Sequence, residues 1–207
     1  MTAVDRLIDA PGVRPATELD IPTLAVSLAR AFATDPVQRW IIPANHRHRR
    51  MTELFHHLLA MELAVGRVDT TPDCVGAAIW AAPGRWRLDL QAARPLAEAS
   101  VRILGANLER SVLLSQVMEA NHPDGEPHWY LATLGTHPDW QRRGVGTRLL
   151  QHVLTTCDEE GIPAYLESSK EQNVPYYRHH GFEVTEAFDI APDGPRLWGM
   201  WREPHTG

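Results

Sequence analysis

Gly144-Val145-Gly146, preceded by Gln141-Arg142-Arg143, carries the first chemical signal in this chain of 207 residues. Two glycines one residue apart let an anion approach the backbone, because a Cβ would hold it off. Where a helix begins, the first-turn N–H groups lack internal partners and the helix dipole is positive, so the chemistry on offer is phosphate binding. The amides of Arg142 through Thr147 dominate that expectation. Arg142 and Arg143 add charge, although exposed arginines are usually only solvated. Spacing excludes two other phosphate loops: there is no Gly-Lys-Ser/Thr, and Leu149 stands where a dinucleotide fingerprint needs its third glycine. Taken alone, the pattern also suits a plain helix start with a tight turn.

The elements that must position this loop are legible around it. His128 to Leu134 is rich in aromatic and β-favouring residues and predicts a strand. A turn at His137-Pro138-Asp139-Trp140 follows. Val145, Leu149, Leu150, Val153, Leu154 and Cys157 then recur at helical spacing until Gly161. Upstream, Gly12 to Thr17 predicts an edge strand, and Asp20 an N-cap for a helix carrying Ile21, Leu24, Ala25, Leu28 and Phe32. Asp35-Pro36 breaks the pattern before a short segment through Trp40, and a second helix carries Met51, Leu54, Phe55, Leu58 and Leu59. Val68 to Thr71 and Val75 to Ala81 predict a strand pair. Helical stretches flank Gly105, and two closing strands flank Pro192-Asp193-Gly194.

Two further stretches complete a pattern. Ala164-Tyr165-Leu166-Glu167-Ser168-Ser169 predicts a strand, and Asn173 to Gly181-Phe182 a short helix ending in Gly-Phe. With Gln/Arg-x-x-Gly-x-Gly, in this order, they resemble the GNAT superfamily of N-acetyltransferases. The chain is most similar to the puromycin N-acetyltransferase-like branch. That similarity runs through Val13 to Thr17 and Ala31 to Ala33, is dense from Pro127 to Trp201, and is loose from Gly84 to Asn121.

The resemblance implies a single domain over 1–207 with a mixed α/β, α+β-like fold. Its central, mostly antiparallel twisted sheet of about seven strands is splayed between strands 4 and 5, with helices on both faces. It implies acetyl-CoA as co-substrate and no metal. Leu134, Gly135 and Thr136 would pair with the pantetheine arm and the acetyl oxygen, with Gly135 supplying the irregular backbone of a bulge. Gln141, Arg142, Arg143, Gly144, Val145, Gly146 and Thr147 would hold the pyrophosphate. Tyr177, four residues before Gly181, would serve the departing sulfur. Asn173 would hydrogen-bond the cofactor or cap the short helix. Glu167 is the first choice as base or orienter of the amine, with Glu119 and His122 behind it. Trp40 is the expected acceptor-side contact. The other tryptophans, the histidine pairs and the basic run His46 to Arg50 are expected to be core, rim or solvated.

The formal charge of −6 argues against non-specific nucleic-acid binding and suits an amine-bearing partner. Cys74 and Cys157 have no metal or redox spacing. Asp5, Arg6 and Asp9 interrupt any secretion signal, and no apolar run approaches the ~18 residues needed to span a bilayer. These features predict a cytoplasmic enzyme without membrane contact, and they admit a homodimer. The expected function is acetyl transfer to the primary amine of a small molecule, with an aminonucleoside or another antibiotic as candidate. The alternatives are a protein N-terminus or lysine as acceptor, or a non-catalytic acyl-CoA sensor.

Overall fold

The computed structural model describes residues 12–87 and 89–205, so the N-terminal residues Asp5, Arg6 and Asp9 lie outside the described residues. Seven strands form one sheet: β1 (Arg14–Pro15), β2 (Arg67–Thr70), β3 (Gly76–Ala81), β4 (Trp129–Thr136), β5 (Ala164–Ser168), β6 (Glu183–Asp189) and β7 (Arg196–Arg202), in the order β1-β2-β3-β4-β5-β7-β6. Every pairing is antiparallel except β4 with β5. The helices are α1 (Ile21–Ala31), α2 (Pro36–Ile41), α3 (Arg47–Val65), α4 (Leu90–Leu104), α5 (Leu108–Asn121), α6 (Val145–Glu160) and α7 (Val174–His179).

The apolar periodicities decide which face each helix covers. Leu149, Leu150, Val153, Leu154 and Cys157 of α6 are buried and pack on Leu131 and Leu166 of the sheet. Leu24 and Leu28 of α1, with Met51, Phe55 and Leu59 of α3, form a second apolar layer with Ala77 and Ile79. Gly161 ends α6 in the left-handed conformation, at φ 66°. The insertion between β3 and β4 divides its labour: α4 buries Ala93, Ala99, Ile103 and Leu104, whereas α5 buries no residue fully. The basic run is structural as well as solvated, since Arg47 donates to the Ile42 carbonyl and Arg50 to the Ile103 carbonyl at the end of α4.

Three local expectations are corrected. The edge strand shrinks to Arg14–Pro15. Asp20 precedes α1 but does not cap it, because its carboxylate binds Arg14 in a two-pronged pair at 2.8 Å and accepts from the Thr17 amide. The bulge in β4 falls at Ala132, not at Gly135: Ile79 pairs with Thr133 and Trp80 with Leu131, which leaves Ala132 as the extra residue. Gly135 is needed for another reason. A Cβ there would lie 2.6 Å from Leu28 Cδ2 and 2.8 Å from Phe32 Cε2, so the glycine lets α1 lie directly on the strand.

Candidate active site

The bulge at Ala132 makes the site. β4 and β5 pair in parallel only over Trp129–Leu131 and Ala164–Leu166. Beyond Leu131 and Leu166 the strands diverge, and backbone that would otherwise face a neighbouring strand faces a cleft lined by Thr133, Leu134, Gly135, Thr136 and Glu167. A second cavity, lined by Arg142, Gly144, Val145, Gly146 and Thr147, lies at the start of α6. The two share Leu134, Thr136, Gln141, Asn173 and Tyr177, so they form one continuous groove from the loop to the splay.

The loop geometry suits an anion. Arg142 and Gly144 adopt positive φ, 57° and 77°, which turns the chain sharply into α6. Gln141 donates from Nε2 to the Thr136 carbonyl at 3.1 Å, tying the loop to the end of β4. The first-turn amides of α6 open on the groove without partners inside the helix. A Cβ on Gly146 would sit 3.2 Å from the Tyr176 hydroxyl and 3.6 Å from Thr136 Oγ1, within the space the anion would use. A groove that starts at free helix amides and continues along a strand edge has the shape and donors to take an extended ligand ending in an anion. Arg143 is not among the lining residues; its guanidinium lies over the Trp140 ring, 5.2 Å from the centroid.

Tyr177 is buried in α7 and lines both parts of the groove. Burial pushes its phenol well above the ordinary value, with smaller contributions from Tyr176 and the Asp35 carboxylate. Raised in this way, it keeps its proton and acts as a hydrogen-bond donor. Asn173 is exposed on the groove and its side chain does not cap α7, so the capping alternative falls away. Asp35, which the sequence offered only as a break, also reaches the cleft. It caps α2 by accepting from the Gln38 amide at 3.0 Å and accepts from the Ser169 hydroxyl, while Lys170 donates to Thr34 at 3.1 Å. These contacts tie the α1–α2 turn to the segment after β5.

Glu167 is split between two surroundings. Residue 167 lines the cleft, but its side chain is only 2% exposed and turns away from it. The carboxylate lies close enough to the Tyr130 and Tyr165 hydroxyls to raise both phenols further, beyond the effect of burial, and His122 Nδ1 lies 3.7 Å from Oε1. Trp86 stacks on His122 at 3.8 Å between centroids. The sequence placed His122 second as a base, His128 at the start of a strand and Trp86 among core or rim residues; in the structure all three lie outside the helices and strands. Glu119, by contrast, is exposed on α5 and lines neither part of the groove. Trp40 lines neither part as well; it packs with Val37, Leu114 and Ile190, under the Arg110 guanidinium. Trp80 and Trp129 are fully buried core residues. Glu62 of α3 approaches the same face, acting on Tyr130, and burial pushes it up to about 7.

Comparison with known proteins agrees with this geometry. The chain is 27% identical over 202 residues to an uncharacterized N-acetyltransferase of Schizosaccharomyces pombe, covering 90% of this chain and 81% of that protein. It is 33% identical over 70 residues to N-alpha-acetyltransferase 50 of Danio rerio, covering 32% of this chain and 42% of that protein. Among solved structures, that of a histone acetyltransferase HPA2 and related acetyltransferase from Corynebacterium glutamicum superposes with a TM-score of 0.71 at 27% identity, covering 96% of this chain and 99% of the other. The family model for the acetyltransferase (GNAT) family matches residues 79–182. That stretch supplies the bulged strand, the amide loop and Tyr177, and a match over half the chain makes this protein a member of the GNAT family of acetyltransferases.

Proposed function

We propose that the chain transfers the acetyl group of acetyl-CoA to the primary amine of a small molecule by direct attack within a ternary complex. The observation that carries this reading is the groove itself. It begins at unpaired helix amides, follows the splayed edge of β4 past Tyr177, and ends beside a buried carboxylate. Leu134, Gly135 and Thr136 offer backbone groups to the extended arm and the carbonyl oxygen. Charge that develops on that oxygen meets N–H donors in place before the reaction. Tyr177 donates a hydrogen bond to the departing sulfur. A thiol near ~8.5 and a phenol near ~10 already differ by about 2 kcal/mol in proton affinity, and burial of Tyr177 widens the gap, so a hydrogen bond serves the thiolate better than full proton transfer. Glu167, with Tyr130 beside its carboxylate, is the base side of the site.

The reading includes a cytoplasmic, antibiotic-modifying enzyme of the puromycin-like branch. Among the described residues no helix is long and apolar enough to cross a membrane. The acidic net charge supports a cationic acceptor. The names of two relatives, N-alpha-acetyltransferase 50 and histone acetyltransferase HPA2, favour a second reading with a protein amine as acceptor. Thiol release from acetyl-CoA across a panel of amines separates them. The panel holds puromycin, other α-amino small molecules, N-terminal peptides and lysine peptides. Efficient turnover of small α-amino compounds supports the proposal, and turnover confined to peptides replaces it with the protein-acetylating reading.

A further inference from the structure

A separate cavity of ≈ 530 Å³ lies where α6, the end of α7 and the end of β7 meet. It shares no lining residue with either part of the groove. Thr155, Arg178, His179 and His205 line it with exposed side chains and form its mouth, whereas His180 and Arg202 line it from within and are only 7% and 3% exposed. The histidine pair at the end of α7 is thus divided, because consecutive helical residues point in different directions: His179 meets solvent and His180 turns inward.

Arg202 is fixed by its neighbours but not satisfied by them. Its Nε donates to the His180 carbonyl at 3.0 Å and its Nη2 to Asp158 Oδ2 at 2.8 Å, while Asp158 Oδ1 accepts from the His205 amide at 2.7 Å. A Cβ on Gly181 would lie 3.3 Å from Nε, so the backbone packs directly against the guanidinium. Arg202 Nη1 finds no hydrogen-bond partner in the protein, and neither does His180 Nε2. A guanidinium stays charged and only donates, so what Nη1 lacks is an acceptor. Asp158 does not supply it, since its oxygens are engaged by Nη2 and the His205 amide. The His180 ring donates through Nε2 in one neutral tautomer and in the charged form. Buried donors left in this state cost stability until an acceptor meets them.

The charge around them has the matching sign. Arg178 and Arg202 stand against the single carboxylate of Asp158 in the lining, which leaves an excess of positive charge before any histidine is protonated. The Arg178 guanidinium lies 3.6 Å from the Glu183 carboxylate with both side chains exposed, a pair that holds it only weakly. Burial, with His179 and the Arg202 guanidinium adding to it, holds the His180 imidazole below its ordinary range, and a negative group beside the ring would offset those two neighbours.

We propose that this cavity is a binding site for a small organic oxyanion, a carboxylate or a phosphate ester, held by Arg202 and His180 with Arg178 and His179 at the mouth. Its volume falls within the range of small-molecule sites and leaves room for an organic body beside the anionic group. The site does not depend on the acetyl-transfer reading. It does lie close to the machinery of that reading: the amides of His180 and Phe182 donate to the Tyr177 carbonyl at 2.9 and 3.1 Å, so one end of α7 serves the groove and the other this cavity.

The test titrates inorganic phosphate and, separately, acetate into the full chain saturated with coenzyme A, which occupies the amide loop. Binding is read from the ring signals of His179, His180 and His205 in nuclear magnetic resonance. The site predicts a saturable shift with at least one of the two anions that chloride at equal ionic strength does not reproduce. Tighter binding of phosphate points to a phosphate ester, and tighter binding of acetate to a carboxylate. Arg202→Gln and His180→Leu should each weaken the binding by roughly 10-fold or more, because each removes a donor to a charged oxygen. His180→Leu leaves the Arg202–Asp158 pair intact and keeps the test decisive should Arg202→Gln fail to fold. A response that does not saturate, that chloride reproduces, or that both variants retain at full strength would refute the site. A phosphate response seen only without coenzyme A would place that phosphate on the amide loop and refute it equally.

Discussion

Gly146→Ala separates ligand binding from folding more cleanly than any other change in the loop. Gly144 is the wrong choice for this purpose, because its φ of 77° would strain any side chain whether or not a ligand is bound. Gly146 lies in the first turn of α6 with ordinary helical backbone. Its added Cβ would meet the Tyr176 hydroxyl at 3.2 Å and Thr136 Oγ1 at 3.6 Å. The first contact asks Tyr176 to give by a few tenths of an ångström. That small cost is offset by the helix preference of alanine, worth up to about 1 kcal/mol. Stability should therefore change by no more than about 1 kcal/mol in either direction. The ligand meets a different balance, since the methyl group occupies the space through which a phosphate oxygen reaches the amides. One lost hydrogen bond to a charged oxygen is worth about 1.5–3 kcal/mol, which is roughly 10- to 100-fold in Kd. Thermal unfolding and calorimetric titration with acetyl-CoA read the two quantities on the same sample. A variant as stable as the wild type that binds acetyl-CoA with unchanged affinity would refute the assignment of the loop to the diphosphate.

Three other outcomes follow from the structure. Tyr177→Phe should lower kcat by about 10²–10⁴ with acetyl-CoA affinity unchanged, and near-normal turnover at saturating substrates would show that another group serves the sulfur. Because burial raises the Tyr177 phenol, the wild-type pH–rate profile should show no loss from its ionisation below about pH 10. Glu62→Gln should act on stability with a set sign. The carboxyl is pushed from 4.5 up to about 7, so between these values the folded state holds a proton that the unfolded state has released, and stability falls as pH rises through the window. The variant should match the wild type near pH 4 and exceed it at pH 8 by up to about 3 kcal/mol, read by denaturant unfolding at both pH values.

Much of the fold was legible because regular elements write their period into the chain. The apolar spacing from Val145 to Cys157 predicted α6 and its buried face, and Gly161 predicted its end. The loop Gln141 to Gly146 was legible as a tight turn into a helix, because unpaired amides at a helix start need only local backbone to exist. Boundaries within the sheet were less legible: β1 is two residues long, since its length depends on how much of β2 remains to pair with it.

The site required the tertiary structure wherever a side chain could turn one of two ways. Glu167 sits on β5 where expected, but strand alternation sends its carboxylate to the Tyr130 side while residue 167 still lines the cleft. Gly135 read as a bulge residue, and only the packing of α1 on β4 shows why a Cβ is excluded there. Glu119 and His122 lie three residues apart, yet one is exposed on α5 and the other buried against Trp86, His128 and Glu167. The amino-acid sequence by itself determined the helices, the amide loop and the catalytic family, because periodicity and cap chemistry act over a few residues. The meeting of Trp86, His122, His128 and Glu167 was decided only by folding. Three of them come from aperiodic segments flanking an insertion, and their distances depend on how the sheet and that insertion close on each other.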